Sequence, residues 1–187
     1  MPVTNLSRPA WIAAILTAAA LFAALVFNPA PAAAQGCRGA NGQSTSISKA
    51  AANRAIFCLV NAQRARHGLA PLRPNRKLAR VARVHARDIV RYQFIGHDSP
   101  AHGSLLARVK RSGYGRNKRL TFGEILGAGR GRWSTPRSIV REWMKRHIHR
   151  KAILYPAFRV MGVGASVGMP SHNNRRRGRS FVITFAN

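Results

Sequence analysis

An α+β fold is predicted for this chain, and two patterns in the sequence predict it. Apolar residues recur at helical spacing in several stretches, while three others are short, apolar and suited to strands. Gly and Pro punctuate the joints between them, and neither an internal repeat nor a second domain can be traced.

The chain opens as an export signal. Arg8 and the amino terminus supply positive charge, residues 10–27 are apolar but for Thr17, and Pro29 and Pro31 precede Ala32-Ala33-Ala34, a small-residue cleavage site. Residues 1–34 are therefore expected to be a cleaved signal peptide, which makes the protein secreted or periplasmic. An apolar run of 18 residues also approaches the length that crosses a bilayer, so a retained membrane anchor is the alternative. Cleavage after Ala34 leaves 153 of the 187 residues. A chain of that size buries about 70% of its unfolded surface, enough for one domain.

Residues 35–50 read as a flexible Gly/Asn/Ser-rich lead-in, and residues 51–187 as the folded domain. A first helix is expected over 48–66, from the spacing of Ala52, Ala55, Ile56, Leu59 and Val60, with Gly68 stopping it. Pro71 and Pro74 make residues 70–74 an extended connector. Asn75 is a plausible cap for a second helix whose inner stripe is Leu78, Val81, Ala82, His85, Ile89 and Tyr92. His85 on that stripe is read as a hydrogen-bonded core residue. Pro100 disfavours helix in the residue before it, so that helix must stop near Phe94-Ile95-Gly96-His97-Asp98-Ser99-Pro100, placing His97 on an exit turn. A short helix over 104–111 follows, then a strand over 120–126 that carries Glu124. Thr135-Pro136 opens the last long helix with a cap and a proline at its first position. Its apolar face is Ile139, Val140, Trp143, Met144 and His147. Residues 160–167 and 181–185 read as paired strands joined by a cationic hairpin loop over 173–179.

Charge sets the class of partner. Lys and Arg number 32 against four acids, a net charge of +28, and removal of Arg8 with the signal leaves +27. Such a surface attracts anionic polymers and membranes, but charge selects sign and not identity. Arg175, Arg176, Arg177 and Arg179 are the candidate anion-binding cluster. Cys37 and Cys58 are the only cysteines, and an even pair in an exported protein suggests one disulfide. Acylation of Cys37 is the weaker alternative.

Several stretches, in order, resemble one family. Leu59-Val60-Asn61-x-x-Arg64 with Gly68-Leu69-x-Pro71-Leu72 is similar to the opening helix of bacterial secreted domains of the CAP superfamily, the SCP-like relatives of cysteine-rich secretory, allergen and plant pathogenesis-related proteins. Phe94-x-x-His97-x-Ser99-Pro100, Gly123-Glu124, Trp143-Met144 with His149-Arg150-x-x-Ile153-Leu154, and Gly162-Val163-Gly164 fit the same pattern. The resemblance implies a three-layer α-β-α sandwich around a small antiparallel sheet. It also implies a cleft with two histidines and two acids that in some members binds a divalent cation. Carried over residue by residue, the cleft set is His97, Glu124 and His149.

The departures are specific. The second acid position holds Arg146, Glu142 beside Trp143 should point elsewhere, and Ile125 stands where Asn follows the glutamate. Arg146-His147-Ile148 replaces a Ser-Pro-Gly break, so the helix could run on and turn His147 inward in place of His149.

Two imidazoles and one carboxylate suffice for a weak divalent-metal site with open positions, and a divalent cation is the only cofactor candidate. The competing role for Glu124 is to accept hydrogen bonds from both histidines and tie the helices to the sheet. Ser99 is a turn residue and neither cysteine looks reactive, so no nucleophile–base pair is visible; no catalytic residue is assigned. The leading expectation is an exported binding module with no assured catalysis, its partner an anionic envelope or cell-wall surface and lipid a second candidate. A metal-dependent, peptidase-like hydrolase is the first alternative. A nucleic-acid binder is the second, disfavoured by export.

Overall fold

The computed structural model describes residues 36–115, 119–171 and 177–187. The expected signal peptide lies outside the described residues, as do Arg175 and Arg176. Among the described residues no helix is long and apolar enough to cross a membrane.

Helix α1 spans Lys49–Arg66, capped by the Ser48 hydroxyl, which accepts from the Ala51 amide. Its Ala52, Ile56, Leu59 and Val60 are buried. The Asn61-x-x-Arg64 pattern acts as a clamp on the chain that follows. The Asn61 amide donates to the Leu72 carbonyl at 3.0 Å and its oxygen accepts from the Leu72 amide at 2.9 Å. Arg64, only 1% exposed, donates to the carbonyls of Ala70, Ile153 and Tyr155. Three carbonyls around one guanidinium satisfy groups that would otherwise be stranded in the interior. The clamped connector contains a two-residue strand, β1 (Arg73–Pro74).

Helix α2 (Arg76–Arg91) starts at Asn75, whose side chain accepts from the amides of Lys77 and Leu78. Its inner stripe is as expected save for Tyr92, which lies past the last helical residue and is 41% exposed. Helix α3 (Leu105–Ser112) ends at Gly113 in the left-handed region.

Strand β2 (Phe122–Arg130) runs four residues beyond the expected end, with Gly127 and Ala128 paired to Phe181 and Ser180. Its Gly-rich half carries no strand propensity of its own; pairing with its neighbour dictates it. Gly127 leaves room for Trp143, whose indole Nε1 would lie 2.9 Å from an added Cβ. After a 3-10 turn at Gly131–Ser134, α4 (Pro136–Lys145) begins under a Thr135 cap. The helix does not run on: Arg146 is extended, and α5 (His147–Ile153) starts afresh.

Strands β3 (Val160–Val167) and β4 (Gly178–Ala186) complete a sheet of order β1-β3-β4-β2. The β3–β4 and β2–β4 pairs are antiparallel, but β1 lies parallel to β3, so the sheet is not wholly antiparallel. Helices α2 and α3 cover one face and α1, α4 and α5 the other. The larger core, including Ile56, Ile125, Trp143, Phe181, Ile183 and Phe185, fills the second interface.

Two expectations are corrected at the domain's start. The lead-in is not loose: Cys37 is bonded to Cys58, and the Ser44 amide donates to the Ser134 hydroxyl at 3.0 Å. Arg179 is not in an exposed loop either. Strand β4 already includes it, it is wholly buried, and it donates to the carbonyls of Ser44 and Ile47. The positive charge assigned to anion binding instead satisfies the lead-in's backbone.

Replacing both Cys37 and Cys58 with Ser should lower stability by about 3 kcal/mol, the chain-entropy value for a closed loop of this length. Urea unfolding of the oxidised protein and the double variant measures the difference.

Candidate functional site

The site begins with the turn after α2. Gln93 adopts φ +57, a left-handed conformation uncommon for a side-chain-bearing residue, and this redirects the chain toward His97. Buried His85 holds the turn by donating from Nε2 to the Gly96 carbonyl at 2.9 Å. Its role is thus the hydrogen-bonded core residue the stripe suggested. Farther along, Asp88 on α2 accepts from the Ser99 hydroxyl and from His102 Nδ1, both at 2.6 Å. The Ser-Pro turn is pinned onto the helix through that carboxylate.

Arg108 of α3 lies at the centre. One of its nitrogens donates to the carbonyls of His97 and Gly103, at 2.8 and 2.5 Å. The other donates to both carboxylate oxygens of Glu124, at 2.9 and 2.8 Å. The side chains of Arg108 and Glu124 are 2% and 1% exposed. His97 Nδ1 lies 3.0 Å from Glu124 Oε1, and with a carboxylate oxygen as acceptor the imidazole donates.

The structure therefore brings His97 and Glu124 together, and it places His149 in the same cleft as His97. That cleft, of about 860 Å³, runs along the free edge of β2 and is lined by Leu126, Trp133 and Trp143 as well as the two histidines. The break at Arg146 sets the register of α5, leaving His147 exposed and His149 half-buried. His149 Nδ1 is buried without a hydrogen-bond partner. Glu142 lines the cleft rather than pointing elsewhere, with its carboxylate accepting from Lys145 Nζ at 3.0 Å. Ile125, in the place of the family's Asn, is core.

The environment splits the two histidines. The hydrogen bond to Glu124 raises the pKa of His97 above its ordinary 6.5. Desolvation lowers that of His149, helped by the charges of Arg146 and His97. His97 thus favours the protonated form and His149 the neutral one.

The donor set does not fit a divalent cation. Both oxygens of Glu124 are taken by Arg108, and a dication there would have to displace a buried guanidinium. Among the described residues no group of three or more His, Cys, Asp or Glu side chains is arranged to hold a metal ion. Among the described residues no Ser, Thr or Cys lines the cleft.

The sequence reading missed Arg108 and the Asp88–Ser99–His102 cluster. A buried acid in so basic a chain demands a basic partner, yet with 32 candidates nothing local singles out Arg108.

The profile of the cysteine-rich secretory protein family, CAP, matches residues 57–183. The chain belongs to the CAP family. It is 33% identical over 137 residues to the Bacillus subtilis protein YkwD, covering 73% of this chain and half of that relative. Among solved structures it is similar to an extracellular protein of Bacillus anthracis containing an SCP domain, with 25% identity and a TM-score of 0.58 over 74% of this chain and 43% of that one. An outer surface protein of Borrelia burgdorferi shares the fold at 17% identity with a TM-score of 0.62, covering 75% of this chain and 96% of its own. The chain spans about half the length of the two Bacillus relatives. Within this CAP domain the three-layer fold stands, and Arg146, which the resemblance set at the second acid position, lines the cleft.

Two outcomes check this geometry. Arg108→Ala should cost about 3–5 kcal/mol in chemical denaturation, because it removes the buried guanidinium that pairs with both oxygens of Glu124. In NMR titrations His97 should titrate above 6.5 and His149 below it, and Glu124→Gln should bring His97 down. The raised group stabilises the fold fully below 6.5 and loses that contribution as pH climbs through its folded value. The lowered group does the reverse, its contribution present above 6.5 and fading as pH falls toward its folded value.

Proposed function

We propose that this CAP domain is an exported binding module that takes a ligand of the cell envelope into the cleft beside β2. The observation that carries the reading is the cleft's make-up. Among the described residues it joins an apolar floor to a cationic lip and is lined by no Ser, Thr or Cys, and the buried Glu124 carboxylate to which His97 donates is already paired with Arg108. Such a site suits holding a ligand more than transforming it.

The lip favours an anionic surface. Trp133 is 47% exposed, with Arg132 and Arg141 lying 5.0 and 5.8 Å from its ring centroid. Exposed Arg130 and Arg177 line a hollow that also borders Trp133. An amphipathic ring framed by guanidinium groups suits an interface where apolar and anionic groups meet. Export is supported by the family, by the amino-terminal sequence, and by the extracellular or surface origin named for the structural relatives.

The purified protein should sediment with phosphatidylglycerol vesicles or with wall fragments carrying anionic polymer. It should not sediment with phosphatidylcholine vesicles, and binding should fall steeply as salt shortens the screening length. Trp133→Ala should weaken binding about tenfold, whereas wild-type-like binding by that variant would remove the lip from the proposal. A chelator-sensitive peptidase activity abolished by Glu124→Ala would replace binding by catalysis.

A further inference from the structure

The opposite edge of the sheet carries a second groove, independent of the histidine cleft. Strand β1 pairs with Val160 and Met161 alone, and then the chain leaves at Pro74 for α2. Strand β3 continues to Val167, and among the described residues no strand lies beside it on that side. The groove of about 570 Å³ lies where β1 would have continued. One wall is the α1 stripe Asn53, Arg54 and Phe57, and the other is Arg76, Ala79 and Arg83 of α2, with Met161 and Val163 between them.

Two features tell what chemistry fits there. Successive strand residues direct their backbone groups alternately to the two sides. The Met161 carbonyl accepts from the Asn75 amide at 3.0 Å, so Val163 and Ala165 present N–H and C=O toward the same side, past the end of β1. Asn53 Oδ1 on the wall is buried without a hydrogen-bond partner. A hydrocarbon chain would leave these polar groups unsatisfied, whereas a polypeptide backbone supplies donors and acceptors to them. The rim has one sign: Arg54, Arg76 and Arg83 are exposed, and no carboxylate lines the groove.

We propose that this groove is a docking site for an extended acidic peptide segment, which adds as a strand to the edge of β3 beyond β1. Main-chain pairing with Val163 and Ala165 supplies affinity, and acidic side chains at alternate positions meet the three arginines, a recognised mode of strand addition. The edge is also short, between glycine-bearing positions 162 and 164 that seat α2 directly on the strand. The helix walls thereby hold the groove open to one extended chain.

The test uses the full chain and a fluorescein-labelled hexapeptide of alternating Glu and Val, read by anisotropy. The Lys–Val counterpart should not bind. Peptides N-methylated at the odd or at the even amides should differ by at least tenfold, because only one set faces β3. Arg76→Glu with Arg83→Glu should lower affinity at least tenfold, while Lys110→Glu with Lys151→Glu, on α3 and α5 and outside the groove, should leave it unchanged. Bound peptide should slow hydrogen exchange at the Val163 and Ala165 amides at least tenfold. Equal behaviour of the two N-methylated peptides, or equal loss in the two charge-reversed proteins, would overturn the proposal. So would displacement of the Glu–Val peptide by laurate without any change at Val163 and Ala165. Because these residues lie outside the histidine cleft, the result is independent of the outcome with Trp133→Ala.

Discussion

The ion pair between Arg108 and Glu124 is the constraint on which the site depends. It joins α3 to β2 through two hydrogen bonds in the interior, and the same guanidinium reaches the carbonyls of His97 and Gly103. Four acceptor atoms on three segments converge on one cation. Burial of both ions costs solvation that the four hydrogen bonds of the two terminal nitrogens offset. His97 is held twice, by its carbonyl on Arg108 and by its ring on Glu124, so the turn and the carboxylate cannot move independently.

Scarcity of acid gives this pair its weight. Of four carboxylates in the chain, Glu124 and Asp88 are spent inside the fold, each binding a histidine, and Glu142 sits on the cleft rim. The outer surface is left overwhelmingly cationic, which opposes compaction by self-repulsion and draws the protein to anionic surroundings. Several arginines escape that surface altogether. Arg64 and Arg179, like Arg108, are buried and serve as multi-pronged donors to backbone carbonyls. The planar fork of Arg makes this possible where the single ammonium of Lys would not.

The two edges of the sheet divide the functional surface. Along β2 the neighbouring layers part to leave the histidine cleft, with α5 supplying His149 and the turn after α2 supplying His97. Along β3 the early exit of β1 leaves polar backbone beside an arginine-framed groove. This domain has two lateral openings on separate edges of its sheet, and the chemistry of each follows from what stands opposite the edge strand.

Sequence alone determined the helices, their caps and the ordering of the family motifs, because capping and periodicity are local. Asn75 and Thr135 cap helices where their positions called for it. The meeting of His97 with Glu124 was legible from the scarcity of acids and from the family pattern, since no periodicity relates a turn to a strand 27 residues away. Tertiary structure decided the rest. The Gly-rich end of β2 is a strand because β4 pairs with it, and Arg179 is buried because lead-in carbonyls need a donor. The break at Arg146, which settles His149 over His147, carries no breaker residue in the sequence. Above all, which of 32 basic residues would neutralise Glu124 depended on packing α3 against β2, and long-range burial leaves no periodic trace in a sequence.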